Sequence, residues 1–260
     1  MKNVTPRLLG PEFPEIGHVK VRGFVSGTTE ELRDNIELLH EKTATGNLKG
    51  LILDLRNNSG GLLQEAVQMA DLFLKKGTVV SVENRASPDQ VYQARRGRDI
   101  NIPVVVLVND GTASAAEIVA NAIQENERGL VLGDRTFGKA TVQSLLPPIL
   151  GKKYYVKLTV ARYFGPKGNT LQVNGVHPDI LLPPGFEEEM PLGFREEDLY
   201  DHIPLLPARE ENSSKNLLKA LTPCVDRGSL AEKMHAANPS PVVKFDYQLF
   251  KTADWLTCLS

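Results

Sequence analysis

Three short runs in this sequence are apolar almost without interruption, and each runs straight into a turn: Gly50-Leu51-Ile52-Leu53-Asp54-Leu55, Val104–Val108 and Leu130–Leu132. A strand with one wet face alternates polar and apolar residues, so a strand with no polar face must be covered on both sides. The segments between these runs carry helical patterns. Leu62 to Lys75 places Ala66, Met69, Ala70 and Phe73 on one face, and a second helix is predicted from about Ala113 to Gln124. Strands alternating with helices in this way predict an α/β fold with a mainly parallel sheet.

Other segments complete the outline. Residues 17–26 alternate like a half-buried strand. Thr28 and Glu31 have the spacing of a capping box for a helix carrying Leu32, Ile36 and Leu39, which Gly46 ends. Gly77 stops the second helix, and Thr78–Val82 reads as a strand. Residues 84–101 are polar and read as a loop or hairpin, while Tyr155–Tyr163 alternates like one member of an antiparallel pair. The texture changes near residue 183. Residues 187–211 hold nine acidic residues against two arginines, with prolines at 183, 184, 191 and 204. The predicted organisation is a core over 1–183, an acidic, proline-containing linker or wrapping segment over 184–215, and a helical C-terminal extension over 216–260.

The bulk numbers exclude several classes. With 260 residues the chain can bury a large core without disulfide staples. Lys plus Arg total 30 and Asp plus Glu total 32, a net charge of −2, which argues against a broad nucleic-acid surface. Two cysteines, Cys224 and Cys258, cannot form a metal cage, and two buried thiols are expected. No apolar run is long enough for a membrane span, and no apolar signal-peptide stretch follows Met1. No metal or cofactor is implied.

Three segments carry chemistry. In the first, Asn109-Asp110-Gly111-Thr112-Ala113-Ser114-Ala115-Ala116-Glu117, a buried strand turns at a glycine into a helix that begins at Ser114. Small neighbours admit another chain, and a helix N-terminus offers free N–H groups to an alkoxide or oxyanion. Taken alone, a serine there is most often only part of the helix's first turn. The second, Gly60-Gly61 at a strand-to-helix junction, exposes backbone N–H groups that suit an oxyanion hole, although such pairs are usually tight turns. The third is Thr136-Phe137-Gly138-Lys139-Ala140-Thr141-Val142-Gln143. An apolar setting favours a neutral lysine amine, which can take a proton from a serine hydroxyl, and an amide at Gln143 can orient it. A lone lysine in such a loop is ordinarily surface decoration.

Together these segments resemble the carboxy-terminal processing, or tail-specific, proteases, the Ser–Lys peptidases of family S41. The matching text is Leu51–Gly61, Gly111–Ile118, Thr136–Lys139, Leu158–Tyr163 and Gly175–Ile180, in the family's order, and the resemblance covers about residues 15–183. It implies a serine endopeptidase on a crotonase-like spiral α/β core with antiparallel strands added. Ser114 takes the place of the nucleophile, Lys139 of the general base and Gln143 of its orienting group. The backbone N–H groups of Gly60 and Ala115 take the place of the oxyanion donors. The implied partners are polypeptide substrates, with an adaptor or a PDZ module to recognise substrate tails and, in some arrangements, a homo-oligomer. The implied setting is periplasmic or secreted. The chain departs from the pattern in having no PDZ-like stretch before Gly17, Ala140 where glycine is usual, Ala116 where a second serine is common, and His177 where an acid is common.

Other classes compete. A Ser–His–Asp hydrolase would have to use His177 and Asp179, without a Gly–x–Ser–x–Gly elbow. A silent module could capture extended chains at a sheet edge, waiting on a missing PDZ module or partner. A crotonase-type acyl-CoA enzyme would need oxyanion donors but not the Lys139–Gln143 pair.

Overall fold

A computed structural model describes residues 2–84, 88–95, 100–146, 155–182, 194–199 and 247–259. Two sheets and four helices make up its regular structure among these residues. In chain order the elements are β1 (Val4–Leu8), β2 (Ile16–Val21), α1 (Thr28–Lys42), β3 (Gly50–Asp54), α2 (Leu63–Phe73), β4 (Thr78–Asn84), β5 (Gln90–Gln93) and β6 (Val104–Val108). There follow α3 (Ala115–Glu125), β7 (Leu130–Gly133), β8 (Thr141–Leu146), β9 (Val156–Phe164), β10 (Ile180–Leu181), a 3-10 turn (Glu196–Asp198) and α4 (Tyr247–Leu259).

The larger sheet has the order β1-β2-β3-β6-β7-β10, parallel throughout except for β1. Its central strands are apolar because both faces are covered. Leu51 and Leu53 of β3, with Val104, Val106 and Val108 of β6, point into the core shared with α1, α2 and α3. Ile52, Val105 and Leu107 point the other way, into a second cluster that includes Leu249, Ala253, Trp255 and Leu256 of α4. A strand alternates its side chains between two faces, so two buried faces favour apolar residues at every position that has no dedicated polar partner. The smaller sheet, β5-β4-β9-β8, is antiparallel. This is the expected α/β class with a mainly parallel sheet and added antiparallel strands.

Several expectations need adjusting. β1 was not foreseen; it pairs with β2 at the sheet edge, where Pro6 is tolerated because an edge strand can spare one N–H. The polar stretch 84–101 resolves as a hairpin, β5 folding back on β4. β8 joins β9 across an irregularity at Val142/Gln143. The capping box at Thr28 and Glu31 does not form. The Thr28 hydroxyl donates to the Val25 carbonyl at 2.7 Å, and the N-cap is Gly27. The Glu65 carboxylate, reaching over from α2, accepts the N–H groups of Gly27 (2.8 Å) and Thr29 (3.0 Å). The anion that suits a helix N-terminus therefore comes from another helix.

Of the predicted linker, only residues 194–199 are described, and they pack onto the core. Of the predicted extension, α4 is described. Cys224 lies outside the described residues, as does the side chain of Cys258. No described helix is long and apolar enough to cross a membrane.

Candidate active site

β3 and β6 lie side by side and end together, so the loops after them meet. Thr112 Oγ1 donates to the Leu55 carbonyl (2.8 Å), Ala113 N–H to the Asn58 carbonyl (2.9 Å), and Asn57 N–H to Asn109 Oδ1 (2.8 Å). Asn58 is fully buried and ties this lattice to β2 through Nδ2 and the Val21 carbonyl (2.9 Å). The ladder of two buried strands is thus continued by backbone and side-chain hydrogen bonds into two loops that would otherwise be irregular.

Ser114 stands at the tip of the second loop as the N-cap of α3, with φ 55° and ψ −118°. That backbone region is costly for any residue with a Cβ, by roughly 1–3 kcal/mol. Gly60 of the first loop is pressed against it: a Cβ there would lie 2.7 Å from the Ala113 carbonyl oxygen and 2.9 Å from the Ala115 nitrogen. Gly60 also has φ +98°, so glycine is required twice over. Of the two expected oxyanion donors, the Ala115 N–H has no acceptor among the described residues. The Gly60 N–H donates to Asn58 Oδ1 at 2.9 Å.

Lys139 arrives on the segment leading from β7 to β8. One buried side chain, Glu117 in the first turn of α3, holds this segment against Ser114. Its Oε2 accepts both the Ser114 N–H (2.8 Å) and the Lys139 N–H (2.9 Å); its Oε1 accepts the Gly138 N–H (2.8 Å) and the Thr136 hydroxyl (2.5 Å). Burial pushes the Glu117 carboxyl up to about 7, against the pull of these four donors. The Tyr163 hydroxyl donates to the Lys139 carbonyl. Burial raises the Tyr163 hydroxyl well above its ordinary range, and the nearby Glu117 charge adds to this.

Ser114, Lys139, Ala115 and Gly60 therefore converge. The side chains of Ser114 and Lys139 are not joined by a hydrogen bond, and neither is Gln143 to Lys139. Gln143 is an exposed residue of β8, paired with Thr159 of β9.

The sequence model of peptidase family S41 matches residues 15–182, the span that supplies every residue of this site. The chain belongs to peptidase family S41. It is 40% identical over 171 residues to the carboxy-terminal-processing protease of Bartonella bacilliformis, covering 65% of this chain and 39% of the relative. It is 41% identical over 170 residues to the carboxy-terminal processing protease of Bacillus subtilis, covering 64% and 34%. Among solved structures it is similar to a photosystem II D1 C-terminal processing protease, with a TM-score of 0.61 and 34% identity, covering 70% of this chain and 49% of that one. The chain thus spans less than half the length of these relatives.

Within this S41 core the first loop has a charged foundation. Asp54, at the end of β3, is fully buried and accepts Arg56 Nη2 (2.8 Å), Arg56 Nε (3.0 Å) and the His18 ring (3.0 Å), while Arg56 Nη1 donates to Gln248 of α4 (2.9 Å). Burial opposes the charge of Asp54, but the Arg56 guanidinium and these hydrogen bonds hold its carboxyl well below the usual range. Burial likewise lowers His18, and the neighbouring Asp54 resists that.

The Ser–His–Asp alternative finds no support in this arrangement. Asp179 accepts the Val131 N–H at 2.8 Å, and His177 is exposed, its carbonyl holding Gln124 (2.8 Å). The candidate site also includes residues to which the sequence assigned no role. Glu117 could have been found from its Ser–x–x–Glu spacing with Ser114. Tyr163 lies in a motif already noted, but nothing local marks its hydroxyl as facing Lys139.

Proposed function

We propose that this chain is the catalytic core of a serine endopeptidase that cleaves protein chains, near their C-terminal tails, by a Ser–Lys reaction. The observation that carries the proposal is the single Glu117 oxygen shared by the backbone N–H groups of Ser114 and Lys139. Besides capping α3, this carboxylate keeps the backbones that carry a hydroxyl and an amine on two separate loops in register.

In the proposed reaction an extended substrate sets its scissile carbonyl oxygen against the Ala115 N–H. The Gly60 N–H, now on Asn58, is the second donor once it is shared with the substrate. Lys139 in its neutral form takes the Ser114 proton as Oγ attacks the carbonyl carbon. The negative charge that develops on oxygen is stabilised by these preset donors. Lys139 then gives its proton to the departing amine, and a water repeats the sequence on the acyl-enzyme. Gln143 is proposed to orient the Lys139 amine when substrate is bound. The reaction as written uses no metal or organic cofactor. Tail recognition is assigned to a PDZ module or an adaptor, the compartment to the periplasm or the cell exterior, and a homo-oligomer is compatible with this reading.

A second reading, a catalytically silent peptide-binding core awaiting its partner, is favoured by the absence of a Ser114–Lys139 hydrogen bond. One experiment separates the two. A fluorophosphonate probe is applied to the wild type, Ser114→Ala and Lys139→Ala, and the modified peptide is mapped. Labelling at Ser114 that falls by about 10³-fold or more in Lys139→Ala supports the Ser–Lys reaction. Labelling of the wild type that is indifferent to Lys139 overturns it, and no labelling at all selects the silent reading.

A further inference from the structure

The S41 match ends at residue 182, yet the next described residues, 194–199, lie directly on the loop that carries Lys139. Their direct contacts fall on residues 134–137 of that loop. The Arg195 guanidinium donates to the carbonyls of Arg135 (2.7 Å) and Thr136 (3.2 Å) and pairs with Asp134 (3.4 Å). Arg135 in turn pairs with Glu197. The Glu196 N–H donates to the Phe137 carbonyl (3.1 Å), and the Phe194 ring lies 6.5 Å from that of Phe137.

The most informative contact is buried. Gln172, 2% exposed, accepts the Ala140 N–H through Oε1 (2.8 Å) and donates through Nε2 to Glu196 Oε1 (2.9 Å). An amide has one accepting and one donating end. The Ala140 N–H fixes which way Gln172 faces, and its NH₂ then needs an acceptor. Glu196 is that acceptor. It is 6% exposed, and its other oxygen has no hydrogen-bond partner among the described residues. A half-satisfied buried carboxylate is a poor choice for stability alone. It does fix the peptide that follows Lys139, at the position where this chain has alanine.

We infer that residues 194–199 form a strap, supplied from outside the S41 match, in which Arg195 and Glu196 are positioning residues for the Lys139 loop, Glu196 acting through Gln172. The inference rests on the Ser–Lys reading for its functional meaning. Glu117 holds the loop from the serine side and the strap holds it from the opposite side. Removing the strap should therefore loosen the lysine without disturbing the serine.

The test uses the full chain as wild type, Glu196→Ala, Glu196→Gln and Arg195→Ala. Two quantities are read: amide hydrogen exchange in peptides covering 136–142, and the rate of fluorophosphonate labelling at Ser114. Glu196→Ala should speed exchange in 136–142 and slow labelling, each by about tenfold, the worth of one net hydrogen bond, with exchange in β3 and β6 unchanged. Arg195→Ala should act in the same direction. Glu196→Gln keeps an acceptor for Gln172 and should return both quantities to within about threefold of wild type. Unchanged exchange in 136–142 overturns the strap, as does unchanged labelling beside a loosened loop. A rise in exchange that spreads to β3 and β6 overturns it too, because the segment would then be merely structural. If wild type takes no probe at Ser114, the Ser–Lys reading fails by itself. The exchange arm then still decides whether Glu196 clamps the loop: a local rise upholds the clamp and an unchanged rate removes it.

Discussion

Ser114 takes its position mainly from its own strand, turn and helix, braced by one neighbouring loop, whereas Lys139 takes its position from residues scattered over the molecule. β6, the Asn109–Ala113 turn and α3 are continuous with the serine, and Glu117 reaches back to it from three residues away. The lysine segment is held by Glu117, Tyr163, Gln172 and Val173, with the 194–199 turn behind them. The difference teaches where rigidity resides in such a site. The proposed nucleophile is built largely by secondary structure and survives with it; the proposed base is built by tertiary contacts and can be loosened while the fold stands.

The largest departure from this picture should come from Gly60→Ala, which strikes the serine side. The new Cβ would meet backbone atoms of Ala113 and Ala115 below 3 Å, and nothing flexible is available to yield. Fluorophosphonate labelling at Ser114 is expected to fall by about 100-fold or more, an effect of ~3 kcal/mol on the barrier. Near-wild-type labelling would show that the two loops are less closely fitted than the contacts indicate.

Glu117 accepts backbone N–H groups from both sides, so it sharpens the comparison. Glu117→Ala leaves four donors without their acceptor and should cost about 2–4 kcal/mol in denaturant unfolding. Exchange should rise more in 136–142 than in α3, because the helix keeps its own hydrogen bonds. Equal loosening of both would erase the distinction.

A smaller effect is expected from pH. Between about 4.5 and 7 the fold keeps a proton on Glu117 that the unfolded chain has already released. Stability attributable to Glu117 should therefore fall as pH rises through that window, by at most ~3 kcal/mol. Labelling should move the other way, rising through about pH 7 as the ionised carboxylate gains full use of its lone pairs on the four donors. Glu117→Gln, which cannot titrate, should remove that limb of the profile; a limb that persists would have to be assigned to another group.

The same contrast explains what was legible in the sequence. β3, β6 and β7 announced themselves because a strand buried on both faces has no room for polar residues. Gly60, Ser114, Ala115 and Lys139 stood out beside a glycine or a helix start, but the roles proposed for them came from the resemblance of the combined segments, since each segment alone read as ordinary turn or surface. β1 was missed because Pro6 and Arg7 break the apolar alternation, and β8 because Gln143 and Ser144 are adjacent polar residues. Gln172 and Glu196 could not be read at all. Their importance lies in an amide's orientation, set by partners 32 and 24 residues away. The acidic run over 187–211 suggested a linker or a wrapping segment, and nothing in the run itself singled out Glu196 as buried.

The backbone of Ser114 has a bearing on how such a protein can be engineered. A left-handed conformation at a residue with a side chain is a standing tension that glycine would relieve, so Ser114→Gly should raise the melting temperature by the equivalent of about 1 kcal/mol while removing the hydroxyl. A laboratory selection that rewards heat resistance alone would thus find one of its easiest gains at the residue proposed to perform the chemistry. Thermostable variants of this chain should be screened for probe labelling at every round, since durability and turnover pull this one position in opposite directions.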